Sequence, residues 1–294
     1  MAKVLEVMPI PAGGFRMAKE ASLETCPEVP SVQGSPKGSK GGSLLWLSAL
    51  SLIVFFLFWF AIVHFGIISR TLLASPEDVI RTFWSKLSNR APDGATLGQH
   101  FQASLLLALT GYSTAVIVGV PLGLLMGWYK KIDEFVRPIF ELIRPIPPIA
   151  WIPLAILWFG IGLTAKAYII WLSAFVPSVI NSYFGIKLTE PVLINVVRTF
   201  GAGKWESFLK VGVPAALPMI FTGLRLSLSS AWMTLVAAEL LAATEGLGYM
   251  IQMGRTLARP DVIIVGMLTI GFTGALMAFG LEKLESKMAP WRKQ

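Results

Sequence analysis

The chain has 294 residues, 54% of them hydrophobic and only 14% charged, whereas soluble domains carry roughly 25% charged residues, so a water-soluble fold is excluded. The formal net charge of +8 comes without a nucleic-acid motif or an aromatic-basic stripe, which argues against nucleic acid as a partner. One cysteine, Cys26, and two distant histidines, His64 and His100, leave no expected disulfide and no expected metal site.

In chain order, residues 1–43 mix glutamates, prolines and a Gly/Ser cluster. No apolar core follows a short basic start, so this segment reads as a cytoplasmic, largely flexible extension rather than a signal peptide. Apolar runs long enough to cross a hydrocarbon core of about 30 Å follow at 44–65, 103–128, 138–159, 165–185, 219–241 and 262–281. They predict an all-α polytopic membrane domain of six spans over 44–294. Between the first two runs, Ser75 suits an N-cap, with Pro76 at the first helical position and Glu77 and Asp78 in the first turn. Val79, Phe83 and Leu87 recur every four residues, predicting an amphipathic helix at the membrane surface. Sixteen of the 25 Lys and Arg fall on the side of the N-terminus and seven on the other, with Arg144 and Arg225 inside spans. By the positive-inside rule both termini, and the segment 190–218, are cytoplasmic.

That segment is the most structured connector. Thr189-Glu190-Pro191 closes the fourth span, and 192–200 reads as a short helix. Gly201-Ala202-Gly203 breaks it, 204–210 reads as a second helix, and Pro214 and Pro218 punctuate the approach to the fifth span. Two short helices joined at a glycine make a knob able to dock on a soluble partner. The residues that would form it are Val197, Arg198, Thr199, Phe200, Gly201, Ala202, Gly203, Lys204, Trp205, Glu206 and Pro214. An ordinary interfacial loop fits the same local pattern.

Within the spans, Pro145, Pro147, Pro148 and Pro153 remove backbone donors around Arg144 and Trp151. Such a backbone is tolerated in a membrane where it is buried in protein or lines a water-filled cavity, so this stretch is a candidate pathway element or a packed kink. Arg144 and Arg225 are candidates for the same pathway or cations that snorkel to headgroups. Glu239, near the outer end of the fifth span, either accepts hydrogen bonds that hold a gate, meets a substrate amine, or packs helices. Ser229, Ser230 and Thr234 offer neutral donors suited to an anion pathway, or to interhelical packing. The stretch Thr244-Glu245-Gly246-Leu247-Gly248 reads as a glycine-rich outer loop. Gly111, Ala115, Gly119 and Gly123, four apart, mark a close helix–helix approach.

Gly201, then nine residues, then Val211-Gly212-Val213-Pro214, resembles the cytoplasmic EAA loop of ABC-importer permeases. Asn195-Val196-Val197 departs from that pattern where relatives carry Glu-Ala-Ala. RPIPPIAWIPLAILWFGIG (144–162), FTGLRLSLSSAW (221–232) and LVAAELLAATEGLGYMIQ (235–252) resemble the taurine/sulfonate/nitrate branch of these permeases. ATLGQHFQAS (95–104) resembles its taurine-type members. The resemblance implies a type I importer fold in a bacterial inner membrane, a homodimer of permeases and two ABC ATPase subunits docked on the Gly201 knob. It also implies a periplasmic or lipoprotein-type binding protein that delivers substrate. ATP and Mg²⁺ would sit on the ATPase, and this chain, with no G-x-x-x-x-G-K-[ST], would bind no cofactor and catalyse no bond change. The expected substrate is taurine or a related small sulfonate, with nitrate, bicarbonate or another small organic anion as alternatives. An ion-coupled secondary transporter is the rival of another class. Such proteins often show interrupted helices in both halves, and here the proline interruption at 144–153 has no counterpart around 262–281.

Overall fold

The computed structural model describes residues 41–242 and 244–288, so the extension expected over 1–43 lies, except for its last three residues, outside the described residues. Two units are distinguished, 1–53 and 54–294. The described part of the first is the opening of helix α1 (Gly41–His64), whose side chains from Trp46 to Ile53 are exposed.

In the second unit, α1 ends with Val63 buried and the Trp59 indole donating to the Ala74 carbonyl at 3.1 Å. The helices that follow are α2 (Pro76–Ser88), α3 (Leu97–Trp128), α4 (Lys130–Ile143), α5 (Ile152–Phe159) and α6 (Leu163–Lys187). Then come α7 (Pro191–Thr199), α8 (Lys204–Ser207), α9 (Val213–Ala242), α10 (Leu247–Thr256) and α11 (Pro260–Met288). Among the described residues five helices are long and apolar enough to cross a membrane, and the pair Lys130–Ile143 and Pro148–Phe159, bent by 82° across a short break, makes a sixth crossing if it is one broken span. The expectation of an all-α membrane domain holds, with five to six candidate spans.

Helices α3, α6 and α9 form the centre. The small residues of α3 lie against α6 in parallel register. A Cβ on Gly111 would sit 2.7 Å from Ile170, one on Gly119 2.9 Å from Ser178, one on Gly123 2.9 Å from Ser182, and one on Gly127 2.8 Å from Ile186. Every fourth residue of α3 is thus a groove for α6, the close approach that the sequence pattern marks. Helix α9 runs antiparallel to α6, with Ser178 and Ser227 hydroxyls 2.7 Å apart and Ser173 bridging Ser230 at 2.6 Å and Thr234 at 2.8 Å. One end of the bundle consequently carries the start of α3 and α6 and the end of α9, and the other carries α7 and α8. Gly123→Val should lower the unfolding temperature of the detergent-solubilised chain by several degrees, since overpacking costs about 1–3 kcal/mol. Gly98→Ala, where a Cβ meets open space, should be neutral or slightly stabilising. A thermal melt of both variants checks this.

The structure bears on three expectations, and two of them need correction. The helix at 76–88 is present, with Ser75 accepting from the Asp78 amide at 3.2 Å and Pro76 opening it. Its residues buried within the chain are Val79, Thr82 and Lys86, and Phe83 and Leu87 of the apolar repeat are exposed. Polar partners decide the buried face: Thr82 donates to Asp261 on α11 at 2.6 Å, and Lys86 is consumed by the turn that follows. Second, the fifth span starts well before residue 219. From Lys204 the chain stays helical through α8 and one π turn, Phe208–Gly212, into α9. The wide turn pairs the Val213 amide with Phe208, five residues back. Pro214, which has no amide to offer, thus falls just beyond the widened turn instead of stopping the helix. Third, the outer loop is short. Gly246 takes φ +123° and Leu247 and Gly248 already belong to α10.

Candidate functional site

At one end of the bundle, α7 starts with a proline and ends at Gly201, whose φ of +87° is a left-handed conformation that glycine adopts without steric cost. The reversed chain returns donors to the last turn of α7: the Gly201 amide to Arg198 at 2.9 Å, and the Ala202 amide to Val197 at 3.3 Å. Helix α8 follows, its Glu206 carboxylate accepting from the Gly203 amide at 3.4 Å and pairing with Lys210 at 3.1 Å. Phe208 anchors the knob. It is buried and its ring lies 5.5 Å from Trp128 and 5.3 Å from Trp205. Around this anchor the knob leaves Val192, Leu193, Val196, Phe200 and Trp205 exposed, Phe200 at 86%. The glycine-broken shape read from the sequence is present, and its outward face is apolar along α7 and basic at Lys204.

At the opposite end, Glu239 is 2% exposed. Ser104 of α3 donates to it, its hydroxyl 2.7 Å and 2.9 Å from the two carboxylate oxygens, and the Gly248 amide donates at 2.9 Å. The Leu247 amide donates to Ser104 Oγ at 2.8 Å, which leaves the hydroxyl proton for Glu239. The Gly246 amide donates to His100 Nδ1 at 3.1 Å. Three consecutive amides at the start of α10 are thus held by side chains from α3 and α9, a cross-element cap that satisfies donors a helix start leaves open. His100 must then carry its proton on Nε2, which lies 3.2 Å from Asp93 Oδ2. Asp93 in turn pairs with Lys86, and the same ammonium donates to the carbonyls of Ala91 at 3.2 Å and Ala95 at 2.9 Å. Burial works to raise the Asp93 pKa, but the hydrogen bonds from His100 and Lys86 outweigh it and hold the carboxyl below its ordinary value. Gly246 and Gly248 are glycines for a steric reason as well. A Cβ on Gly248 would lie 2.7 Å from Glu239 Cβ, and one on Gly246 would overlap its carboxylate.

Two cavities meet at the break between α4 and α5. One, of about 230 Å³, is lined by Arg144, Trp151, Tyr168, Trp171 and Phe175 among others. The other, of about 190 Å³, is lined by Asp133, Arg137, Glu141, Arg144 and Tyr183. Arg144 and Phe140 belong to both. In the second cavity Arg137 forks onto Asp133 through Nε at 3.1 Å and Nη2 at 2.7 Å and donates to the Tyr183 hydroxyl.

The pathway candidates from the sequence therefore do not converge within one chain. Arg144 and Trp151 share a cavity, with Pro147 and Pro148 at the break beside them. Arg225 pairs with Glu285 of α11 and lines a separate cavity with Ser229 and Trp232. Ser230 and Thr234 bond to Ser173 between α6 and α9. Glu239 is enclosed in the cap. Sequence reasoning missed His100, Ser104, Lys86, Asp93 and Glu285 as partners. The Thr96-Leu97-Gly98-Gln99 signature could have placed the start of α3 before His100, because its capping box forms, with the Thr96 amide donating to Gln99 at 2.9 Å. Contacts between residues 135 or more apart had no local signal.

Comparison with known proteins adds four similarities. Residues 119–284 match the family described as binding-protein-dependent transport system inner membrane component. The chain is 38% identical over 248 residues to the taurine transport system permease protein of Escherichia coli (strain K12), covering 83% of this chain and 89% of that protein. It is 34% identical over 248 residues to the putative aliphatic sulfonates transport permease protein of Bacillus subtilis (strain 168), covering 84% of this chain and 88% of that one. In fold, it matches a chain of the inward-facing MetNI methionine ABC transporter with a TM-score of 0.59 at 20% identity, over 65% of this chain and 95% of that chain.

Proposed function

The chain belongs to the binding-protein-dependent transport system inner membrane components, and from that premise we propose that it is the permease of an ATP-driven importer for taurine or a related small sulfonate. It is an ABC permease subunit and not an enzyme: ATP hydrolysis belongs to a separate ATPase. The Gly201 knob carries the coupling part of this reading. Its apolar α7 face, the exposed Phe200 and Trp205 and the flanking Lys204 present a preformed surface on a rigid anchor, suited to a groove on the ATPase. The substrate rests on the similarity to permeases named for taurine and for aliphatic sulfonates.

In this reading two copies pair, each knob docks on one ATPase subunit that holds ATP and Mg²⁺, and both termini face the cytoplasm with the knob. A binding protein delivers substrate at the end where Glu239 caps α10. Closure of the ATPase dimer draws the knobs together and opens the paired permeases outward, and hydrolysis reopens the path inward. The test is uptake by proteoliposomes holding the permease, its ATPase and its binding protein. ATP-dependent uptake of labelled taurine, exceeding that of labelled nitrate, is expected. Uptake driven by an ion gradient without the ATPase would overturn the importer reading, and preference for nitrate would overturn the substrate.

A further inference from the structure

We propose that the cavity at the break between α4 and α5 is a transit site for an oxyanion with a short carbon body, held by the Arg144 guanidinium and the Trp151 indole N–H. The proposal rests on the importer reading and deepens it. It starts from two donors that the fold leaves without acceptors. The Trp151 Nε1 is buried without a hydrogen-bond partner, and an unmatched buried donor is costly to leave so. The Arg144 side chain, exposed at the end of α4, makes neither a hydrogen bond nor an ion pair among the described residues, although it is a charge placed within a membrane crossing. Both line the same cavity of about 230 Å³.

What surrounds the donors narrows the ligand. No carboxylate lines this cavity, and its walls are otherwise apolar or aromatic. Tyr168, Trp171 and Phe175 run along one face of α6 as a stack, with ring centroids 6.1 Å and 4.7 Å apart. A cation would meet the guanidinium unfavourably, and a wholly apolar ligand would leave the indole N–H and the guanidinium unmatched. An oxyanion takes both donors, and a short carbon chain fills the remaining space against the rings. The proline-rich backbone makes this possible. Pro147 and Pro148 turn the chain by 82° between α4 and α5, which brings Trp151 back over the cavity that Arg144 lines from the end of α4.

Release is built into the same residue. Arg144 also lines the second cavity, where Asp133 and Glu141 stand beside Arg137. An oxyanion passing from the first cavity to the second moves from donors alone to a region with as many carboxylates as guanidinium groups. Its hold weakens there, as a conducting path requires. The second cavity adjoins the end of α6 that leads to the knob, so the order of the two sites follows the direction of import.

The test is equilibrium dialysis of labelled taurine against the detergent-purified permease–ATPase complex without binding protein, beside the proteoliposome uptake assay. Trp151→Phe keeps the ring and removes the N–H, and should weaken binding about 5-fold, the worth of roughly one hydrogen bond. Arg144→Gln should weaken it at least 10-fold, with Arg144→Lys intermediate. Val176→Phe, which fills the cavity from α6, should reduce binding of propanesulfonate more than that of methanesulfonate. A purely structural role for these residues would not move that size preference. Variants that take up and bind taurine as the wild type does, with an unchanged size preference, would overturn the site while leaving the importer reading intact. A wild-type complex that imports no sulfonate would overturn the substrate reading and this site with it.

Discussion

Glu239→Ala should lower the stability of the permease by about 3 kcal/mol or more and abolish ATP-dependent uptake. The carboxylate is 2% exposed and is the acceptor for Ser104 and for the Gly248 amide. Hydrogen bonds to charged groups contribute about 1.5–3 kcal/mol each, and a buried donor left without its acceptor costs a further 1–3 kcal/mol. Lys166, itself 6% exposed, lies in the field of the same carboxylate and would lose it. Glu239→Gln keeps one acceptor oxygen and should cost less. Thermal unfolding of the purified variants, read beside uptake, checks the order Ala, then Gln, then wild type.

The same geometry predicts an interaction between Glu239 and Gly246. Gly246→Ala places a methyl on the carboxylate and forces a residue other than glycine to φ +123°, so it should destabilise nearly as much as Glu239→Ala. In the double variant the steric part disappears, because the atoms the methyl would strike are gone. Its cost should therefore fall at least 1 kcal/mol short of the sum of the single costs, well above the scatter of about 0.3–0.5 kcal/mol expected for independent sites. A strictly additive cycle would mean that the carboxylate and the start of α10 do not form one unit.

Which features could be read in advance follows from their range along the chain. The crossings, the α2 cap, the four-residue glycine spacing of α3 and the Gly201 turn are each encoded within a few turns of helix. Hydropathy, capping and backbone freedom act on that scale. Glu239 was legible as an ionisable group near the outer end of a span but not as part of the cap of α10, because Ser104 and His100, which complete that cap, come from another helix. Arg225 was legible as a charge within a span, while its partner Glu285 lies 60 residues away. The extended start of α9 was misread for a different reason. Pro214 normally marks a boundary, but a single π turn ahead of it moves the hydrogen-bond register by one residue and lets the helix continue.

Gly201→Pro should cut ATP-driven uptake at least 10-fold while leaving the membrane-embedded part folded. Proline holds φ near −65°, whereas Gly201 sits at +87°, and proline also removes the amide that bonds Arg198. The damage stays local for a geometric reason: a Cβ at Gly201 meets nothing within 4 Å, so no packed neighbour transmits the strain into the bundle. The anchor, Phe208 against Trp128, lies beyond the turn and remains. What changes is the direction in which α7 leaves α8, and with it the place of Val196 and Phe200 relative to Lys204 and Trp205. Gly201→Ala, which keeps the amide but pays for a left-handed conformation, should show an intermediate defect, costing about 1–2 kcal/mol locally. Co-purification with the ATPase separates two causes. Loss of the ATPase with an unchanged melting temperature assigns the turn to docking, whereas a lowered melting temperature would make Gly201 a residue of the fold and remove it from the coupling surface.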